Sequence, residues 1–228
     1  MPETDTPLTS IRARIDAACA GAGRAPQSVT LLAVSKTRGA DEIAALADQG
    51  QRHFGENYLQ EALDKMPALA DRGLEWHFIG PIQSNKTRAI AEHFDWVHSV
   101  DRLKIAQRLS DQRPESLPAL NICLQVNISG EDSKSGVTLA ELPALAEAVA
   151  ALPRLQLRGL MAIPAPADSS EQRRVPLAAL REAATQLSLP LDTLSMGMSD
   201  DLTEAVQEGA TIVRIGTALF GQRQYPQP

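Results

Sequence analysis

One lysine stands at the end of an apolar stretch of the chain, a position suited to covalent chemistry. Lys36 directly follows the sequence Leu31-Leu-Ala-Val-Ser35. An amine held partly out of water at a strand end, near other cations, loses some of its preference for the charged form. A neutral amine can attack an aldehyde and form a Schiff base. The competing interpretation is a lysine that points into water, as most lysines do.

Two glycine-containing motifs late in the chain could bind an anion. Met196-Gly-Met-Ser199 and Arg214-Ile-Gly-Thr217 each combine a glycine, whose amide an anion can approach closely, with a hydroxyl donor. Ser199 also predicts the N-cap of a following helix, whose positive end would face the anion. The alternative is that Ser199 only caps a helix and Gly216 only turns the chain. Two such motifs in corresponding places favour a phosphate site.

The elements that position these side chains alternate along the sequence. Eight apolar segments predict strands: Val29–Ser35, His53–Asn57, Trp76–Gly80, Trp96–Val100, Asn121–Ile128, Leu155–Ile163, Thr193–Met198 and Thr211–Gly216. Helices are predicted between them, at Asp41–Asp48, Leu59–Ala70, Lys86–His93, Asp101–Asp111, Leu139–Leu152, Glu171–Leu187 and Asp201–Gln207. Such alternation requires a parallel sheet. Eight strands in 228 residues predict a single (β/α)8 TIM-type barrel, with an open doubly wound sheet as the alternative.

An additional helix is predicted before the first strand, at about Pro7–Ala20. Pro7 suits the first helical position, and Ile11 and Ile15 lie on one face of the helix. Because only a short tail follows the last strand, we expect this helix to cover that side of the barrel. The whole chain, residues 1–228, is expected to form one domain.

The carboxyl ends of barrel strands form one face, where barrel enzymes have their sites. In this sequence that face receives, in chain order, Lys36, Asn57, Gly80 to Gln83, Asn127, Met161, Ser199, and Arg214 to Thr217. It receives no pair of carboxylates of the kind that glycoside hydrolysis requires. The histidines are scattered in sequence, so no metal site is predicted from them: His53, His77, His93 and His98.

Composition excludes several classes of function. The net charge is −6 and the sequence pI about 5.3, which argues against a nucleic-acid groove. No apolar run is long enough to span a bilayer, and the acidic start MPETDTPLTS is unlike a secretory signal. Cys19 and Cys123 lie among apolar residues and are interpreted as reduced core thiols. We therefore expect a soluble cytoplasmic protein.

A Schiff-base lysine and a phosphate site leave two interpretations, a phospho-sugar aldolase and a pyridoxal 5′-phosphate protein. Longer motifs favour the second. The sequence Trp76-His-Phe-Ile-Gly-Pro-Ile-Gln-Ser-Asn-Lys86 resembles the signature of the YggS/PROSC family of pyridoxal-phosphate homeostasis proteins. Further motifs of that family follow in its order: Ala33–Lys36, Phe54–Tyr58, Val126–Glu131, Arg158–Met161, Leu194–Leu202 and Val213–Thr217. The resemblance extends over residues 8 to 225.

The resemblance implies a barrel similar to the cofactor domain of alanine racemase, with pyridoxal 5′-phosphate as cofactor. It implies that Lys36 forms the Schiff base and that Arg214 approaches the pyridine nitrogen. It also implies that Asn57 and Met161 line the cofactor, and that the phosphate is bound by three residues: Ser199, Gly216 and Thr217. Position 162 is alanine, where family members often have threonine.

Little or no catalysis is expected. Arginine does not give up its proton, so Arg214 should leave the pyridine nitrogen unprotonated, and such a ring stabilises carbanions poorly. Racemisation also needs a second base, which racemases obtain from an added domain that a chain ending at 228 does not contain. The two tyrosines of the chain, Tyr58 and Tyr225, do not replace the missing domain.

These expectations describe a monomeric carrier in intracellular vitamin B6 homeostasis, whose partners are the cofactor and the apo-enzymes that receive it. The alternative is an amino-acid racemase of narrow specificity. The polar loop from Glu131 to Gly136 is interpreted as a surface connection, with a lid that brings Lys134 to the barrel mouth as the alternative.

Overall fold

The computed structural model describes residues 6–130 and 135–222, and it shows a closed barrel of eight parallel strands. The strands are β1 (Thr30–Val34), β2 (His53–Glu56), β3 (Glu75–Phe78), β4 (Trp96–Val100), β5 (Leu120–Gln125), β6 (Leu155–Met161), β7 (Thr193–Ser195) and β8 (Ile212–Ile215). Each strand pairs with its sequence neighbours, and β8 pairs with β1. The predicted barrel is confirmed, and the open doubly wound sheet is wrong. Lys134 and Tyr225 lie outside the described residues.

Helices surround the barrel: α1 (Pro7–Gly21), α2 (Ala40–Asp48), α3 (Leu59–Lys65), α4 (Thr87–His93), α5 (Leu103–Gln112), α6 (Leu142–Ala150), α7 (Ser170–Gln186), α8 (Leu202–Gln207) and α9 (Thr217–Phe220). Two 3-10 segments, Met66–Arg72 and Ser84–Lys86, extend α3 and precede α4. None of these described helices combines the length and apolarity needed to cross a bilayer.

The N-terminal helix α1 closes the side of the barrel next to the last strand. Thr6 caps it, since the Thr6 side chain accepts a hydrogen bond from the Thr9 amide and the Thr9 side chain bonds back to Thr6. Its buried face, which includes Leu8, Ile11 and Ile15, packs near α8 and α9. The predicted position of this helix is therefore confirmed.

Apolar side chains form two layers, one outside the barrel wall and one within it. The outer layer joins the strands to the helices and includes Leu31, Phe54 and Val213. The inner layer is a small cluster inside the barrel: Leu32, Trp96, Cys123, Met161 and Ile212. Burial raises the pKa of the Cys123 thiol to about 12, which suits the predicted inert core thiol. Neighbouring strand residues alternate between the layers because successive side chains point to opposite faces.

Candidate functional site

A cavity of about 560 Å³ opens at the carboxyl ends of the strands. Its lining comes from the last part of β1 and β8 and from the segments that follow β1, β2, β3, β6, β7 and β8: Val34, Lys36, Arg38, Asn57, Ile79, Ile163, Met198, Ser199, Asp200, Arg214, Gly216, Thr217 and Ala218. Six of the seven predicted binding residues are among them. Three lining residues are cationic, and among the described lining residues Asp200 is the single carboxylate. The cavity therefore favours an anionic ligand.

Lys36 lies half-buried at one side of this cavity. The buried strand β1 delivers it to the barrel mouth, and the chain then turns sharply, with Thr37 in the left-handed region at φ 63°. This conformation is uncommon for a residue with a side chain. The Thr37 amide donates a hydrogen bond to the Glu61 carboxylate, which holds the turn in place.

A second lysine lies behind this turn and is fully engaged. Lys65 is 2.8 Å from Glu56 Oε1 and 3.0 Å from Glu61 Oε1, and it donates to the carbonyl oxygens of Ser35 and Arg38. Glu56 is fully buried, and burial raises its pKa against the opposing effect of Lys65. Because its amine already has four acceptors, Lys65 is poorly suited to attack a ligand. Its ion pair with Glu56 instead supports the backbone on either side of Lys36.

Arg214 forms part of the cavity floor. Nη1 donates to the Ser195 carbonyl oxygen at 2.7 Å and to Ser195 Oγ at 2.8 Å, and Nη2 donates to the Ala162 carbonyl oxygen at 2.9 Å. Burial lowers the pKa of the guanidinium to about 10, so it keeps its charge at neutral pH. Its hydrogen-bond acceptors among the described residues are neutral oxygens, and these three bonds use only part of the donor capacity of the side chain. Arg214 can therefore donate to an acceptor in the cavity.

The two late motifs meet at this cavity. Ser199 follows β7, while Gly216 and Thr217 follow β8. The Thr217 side chain is exposed and that of Ser199 half-buried, so both hydroxyls are accessible. A Cβ atom on Gly216 would meet its nearest neighbour, Val34 O, at 3.4 Å, so protein packing alone does not require glycine there. These residues leave space in which an anion can approach the backbone.

The predicted N-cap at Ser199 is wrong. Helix α8 begins at Leu202, and Asp201 is its N-cap residue. Asp201 Oδ1 instead accepts a hydrogen bond from the Met198 amide at 2.6 Å, and the Ser199 carbonyl oxygen accepts one from Arg14 in α1. The chain needs two more residues to turn from β7 into the helix, which leaves the Ser199 side chain at the cavity rather than at a helix end.

Asn57 and Met161 have different places. Asn57 lines the cavity, and its buried Oδ1 atom has no hydrogen-bond partner among the described residues. The backbone of Gly80 packs directly against the backbone of Asn57. A larger residue would not fit at position 80, because its Cβ atom would lie 2.2 Å from Asn57 O. Met161, by contrast, is fully buried in the inner apolar cluster and does not line the cavity. Met161 packs beneath the cavity, and the lining residue Ile79 packs against the same apolar cluster.

A connected group of polar side chains lies within the barrel, and the sequence pattern did not indicate it. His77 Nδ1 lies 2.9 Å from His98 Nε2, and His98 Nδ1 lies 2.7 Å from Ser195 Oγ, which also accepts from Arg214. The chain of contacts thus runs from the amino end of the barrel to the cavity. His77 and His98 each occupy an inward-facing position of a neighbouring strand. The pairing of β3 with β4, and not their spacing in sequence, brings them together.

Comparison with known proteins relates the chain to pyridoxal-phosphate proteins. The family model described as the N-terminal domain of alanine racemase matches residues 8–224. A protein of Pseudomonas aeruginosa named pyridoxal phosphate homeostasis protein is 64% identical over 221 residues, which cover 97% of this chain and 96% of the relative.

Solved structures give the same relationship. The structure of PipY from Synechococcus elongatus with PLP bound is similar with a TM-score of 0.80 and 40% identity, and the match covers 91% of this chain and 100% of PipY. Alanine racemase from Corynebacterium glutamicum matches with a TM-score of 0.64 and 20% identity, over 93% of this chain and 60% of the racemase. This second similarity concerns the fold alone.

Proposed function

Because the chain belongs to the YggS/PROSC family of pyridoxal phosphate homeostasis proteins, we propose that it binds pyridoxal 5′-phosphate in the cavity at the carboxyl end of its barrel. One observation carries the proposal. Lys36, Arg214 and the segments at Ser199 and Gly216–Thr217 line the same cavity. Each matches a different part of the cofactor, which has an aldehyde, a ring nitrogen and a phosphate.

The residues fit these three groups. A volume of about 560 Å³ lies within the usual range for small-ligand pockets, about 300–1,000 Å³. The excess of cationic over acidic lining residues suits a phosphate, and the accessible hydroxyls of Ser199 and Thr217 can donate to it. The unpartnered Oδ1 of Asn57 offers an acceptor to the ligand.

Lys36 is proposed to hold the cofactor covalently. Its amine would condense with the aldehyde of the cofactor to give a Schiff base, and the aldehyde oxygen would leave as water. Hydrolysis of this linkage would free both the lysine and the cofactor. The exposure of Met198, Asp200 and Thr217 at the cavity rim leaves a route for this water. Such reversibility suits a protein that stores and releases its ligand.

The floor of the same cavity supports the proposal that catalysis is weak. The cofactor supplies an electron-withdrawing ring, which stabilises a substrate carbanion best when the ring nitrogen is protonated. Arg214 keeps its own proton at neutral pH and can only donate to that nitrogen. A donor at this place favours the unprotonated ring. We therefore propose a carrier with little or no turnover, and an amino-acid racemase is the alternative.

One experiment distinguishes the carrier from the racemase. The protein loaded with cofactor is incubated with each common amino acid in deuterated water, and exchange of the α-proton and formation of products are followed. We expect at most slow exchange, with Lys36 acting on one face. Turnover at roughly 1 per second or faster would be typical of an enzyme and would overturn the carrier proposal.

Delivery is measured in parallel. The loaded protein is mixed with an apo-enzyme that depends on pyridoxal phosphate, and recovery of that enzyme's activity is compared with recovery on an equal amount of free cofactor. A carrier should restore the activity, whereas failure to release any cofactor would contradict a role in delivery. The cytoplasmic location, the monomeric state and the recipient apo-enzymes stay predictions.

A further inference from the structure

Three polar side chains meet at the amino end of the barrel, opposite the cofactor cavity. His53 begins β2 and Glu75 begins β3, and the two are paired in register. His77 lies two residues after Glu75, so both project from the same face of the strand. The potential ligand atoms of these three residues lie within 4.8 Å of one another.

The distances among these atoms are nearly equal. His53 Nδ1 is 3.3 Å from His77 Nε2, and each of these nitrogens is 3.4 Å from Glu75 Oε1. Charge-assisted hydrogen bonds are typically about 2.7–2.9 Å long, so the contacts to the carboxylate are longer than a proton-sharing pair would favour. A neighbouring contact is much shorter, since Trp96 Nε1 donates to the same Oε1 at 2.6 Å.

We propose that His53 Nδ1, His77 Nε2 and Glu75 Oε1 bind a divalent transition-metal ion, with Zn²⁺ the best match. Zn²⁺ lies about 2.0–2.2 Å from nitrogen and oxygen ligands in a tetrahedron, whose ligand atoms are consequently about 3.3–3.6 Å apart. The three measured distances match one face of that tetrahedron. Two imidazoles and a carboxylate are ligands that Zn²⁺ commonly has. The His53 and Glu75 side chains are 34% and 40% exposed, so water can supply the fourth ligand.

The protonation states suit a metal ligand. Burial lowers the pKa of His77 to about 4, which leaves its imidazole neutral at pH 7. Contacts with His53 and His77 lower the pKa of Glu75, which is therefore ionised. Trp96 uses one lone pair of Glu75 Oε1, and a carboxylate oxygen has a second one for the metal. Arg158 stacks on Trp96 with its Cζ 4.9 Å from the ring centre, but its charge is balanced by Asp192 at 2.7 Å.

The residues behind the site would orient His77. A metal on Nε2 requires the proton on Nδ1, which then donates to His98 Nε2 at 2.9 Å. His98 must in turn donate from Nδ1 to Ser195 Oγ at 2.7 Å, where Arg214 already donates. The two lone pairs of that hydroxyl accept both bonds. Metal binding therefore fixes one direction for a chain of hydrogen bonds that ends beside the cofactor cavity.

The test uses untagged protein, with the cofactor and after its removal, because pyridoxal phosphate itself can bind metals. The protein is loaded with Zn²⁺ and dialysed, the retained metal is counted, and its affinity is measured by competition with a chelator. We expect one Zn²⁺ per chain in both states. Loss of an outer contact to a metal ligand typically costs about 10- to 100-fold in affinity, so His53→Ala and Glu75→Gln should each cost at least about 100-fold.

His93→Ala is the matched control, because His93 lies exposed on α4 away from the proposed ligands. Glu75→Gln keeps an oxygen for Trp96, so it decides the question if His53→Ala does not fold. Substitution with Co²⁺ should give the intense visible bands of four-coordinate cobalt, and ¹⁵N NMR should show His77 protonated on Nδ1. Failure to retain Zn²⁺, or unchanged affinity in both ligand variants, would overturn the proposal.

Discussion

The two ends of this barrel use polar residues in opposite ways. At the carboxyl end, Lys36, Ser199 and Thr217 face a cavity and remain accessible. At the amino end, His77 and Trp96 are buried against each other, with their rings stacked at an angle of 6°. One end is arranged to receive a ligand of cofactor size, and the other brings three side chains close enough together to bind a single ion. The difference is that the proposed cofactor site has accessible donors around an open volume, whereas the polar groups of His77 and Trp96 at the amino end are buried.

The buried histidines near the amino end should make the folded protein less stable in acid. This loss of stability is the largest effect that we expect. His77 and His98 are fully buried, and burial lowers the pKa of both below the ordinary value of 6.5. Between pH 6.5 and about 4 the unfolded chain binds protons at these positions while the folded chain does not. The free energy of unfolding should therefore fall as the pH falls, by up to about 1.4 kcal/mol per pH unit for each histidine.

Urea unfolding of metal-free protein at pH 7, 6 and 5 measures this slope. Exposed His93 provides the control, and His93→Gln should leave the slope unchanged. Equal stability at pH 7 and pH 5 would mean that the buried histidines are not held neutral, and it would contradict the structural contrast between the two ends.

At the carboxyl end, the buried ion pair between Glu56 and Lys65 supports the backbone around Lys36. Breaking this ion pair should cause the second largest loss of stability. Glu56→Gln removes the charge that faces Lys65. Loss of one partner of a buried ion pair usually costs about 3–5 kcal/mol, but Glu61 still faces Lys65, so we expect roughly 2–3 kcal/mol. Glu61→Gln, at a more exposed position, should cost about 1 kcal/mol or less. Chemical unfolding of the three proteins measures both values, and an equal loss in the two variants would contradict the special role of Glu56.

The smallest effect is expected at the phosphate side of the cavity. Ser199→Ala removes one accessible hydroxyl and should weaken binding of pyridoxal phosphate by about 1 kcal/mol, or roughly fivefold in Kd. Binding of pyridoxal, which has no phosphate, should stay unchanged. Titration of both ligands by fluorescence measures the difference. Equal losses for the two ligands would place Ser199 beside the ring instead.

Most of the fold was predictable because its elements are regular. Trp96–Val100 was predicted with the bounds that β4 has, and all eight strands are present. Errors lie where strands end and loops begin. The segments 126–128 and 162–163 were predicted as strand because their apolar residues continue the pattern, yet there the chain leaves the sheet to form the barrel mouth. The four-residue helix α9 was missed because so short a segment has no periodicity to detect.

The site was predictable where a single residue faces the cavity and unpredictable where partners are distant in sequence. Lys36 comes just after β1, and Arg214 lies near the carboxyl end of β8, so barrel topology alone brings both to the mouth. The chain from His77 to His98 and Ser195 depends on contacts across the barrel interior, and residues 98 and 195 lie 97 positions apart. The sequence Glu75-Trp-His77 did contain one usable signal, since alternate residues of a strand share a face.

Covalent attachment of the cofactor to Lys36 is the central claim, and one measurement tests it directly. The protein loaded with pyridoxal phosphate is reduced with borohydride and digested, and mass spectrometry locates the attached cofactor. The account predicts the added mass on the peptide that contains Lys36, its loss in Lys36→Ala, and no change in Lys104→Ala, where the lysine is exposed on α5. Attachment at Lys65, or an unchanged visible absorption band in Lys36→Ala, would contradict it.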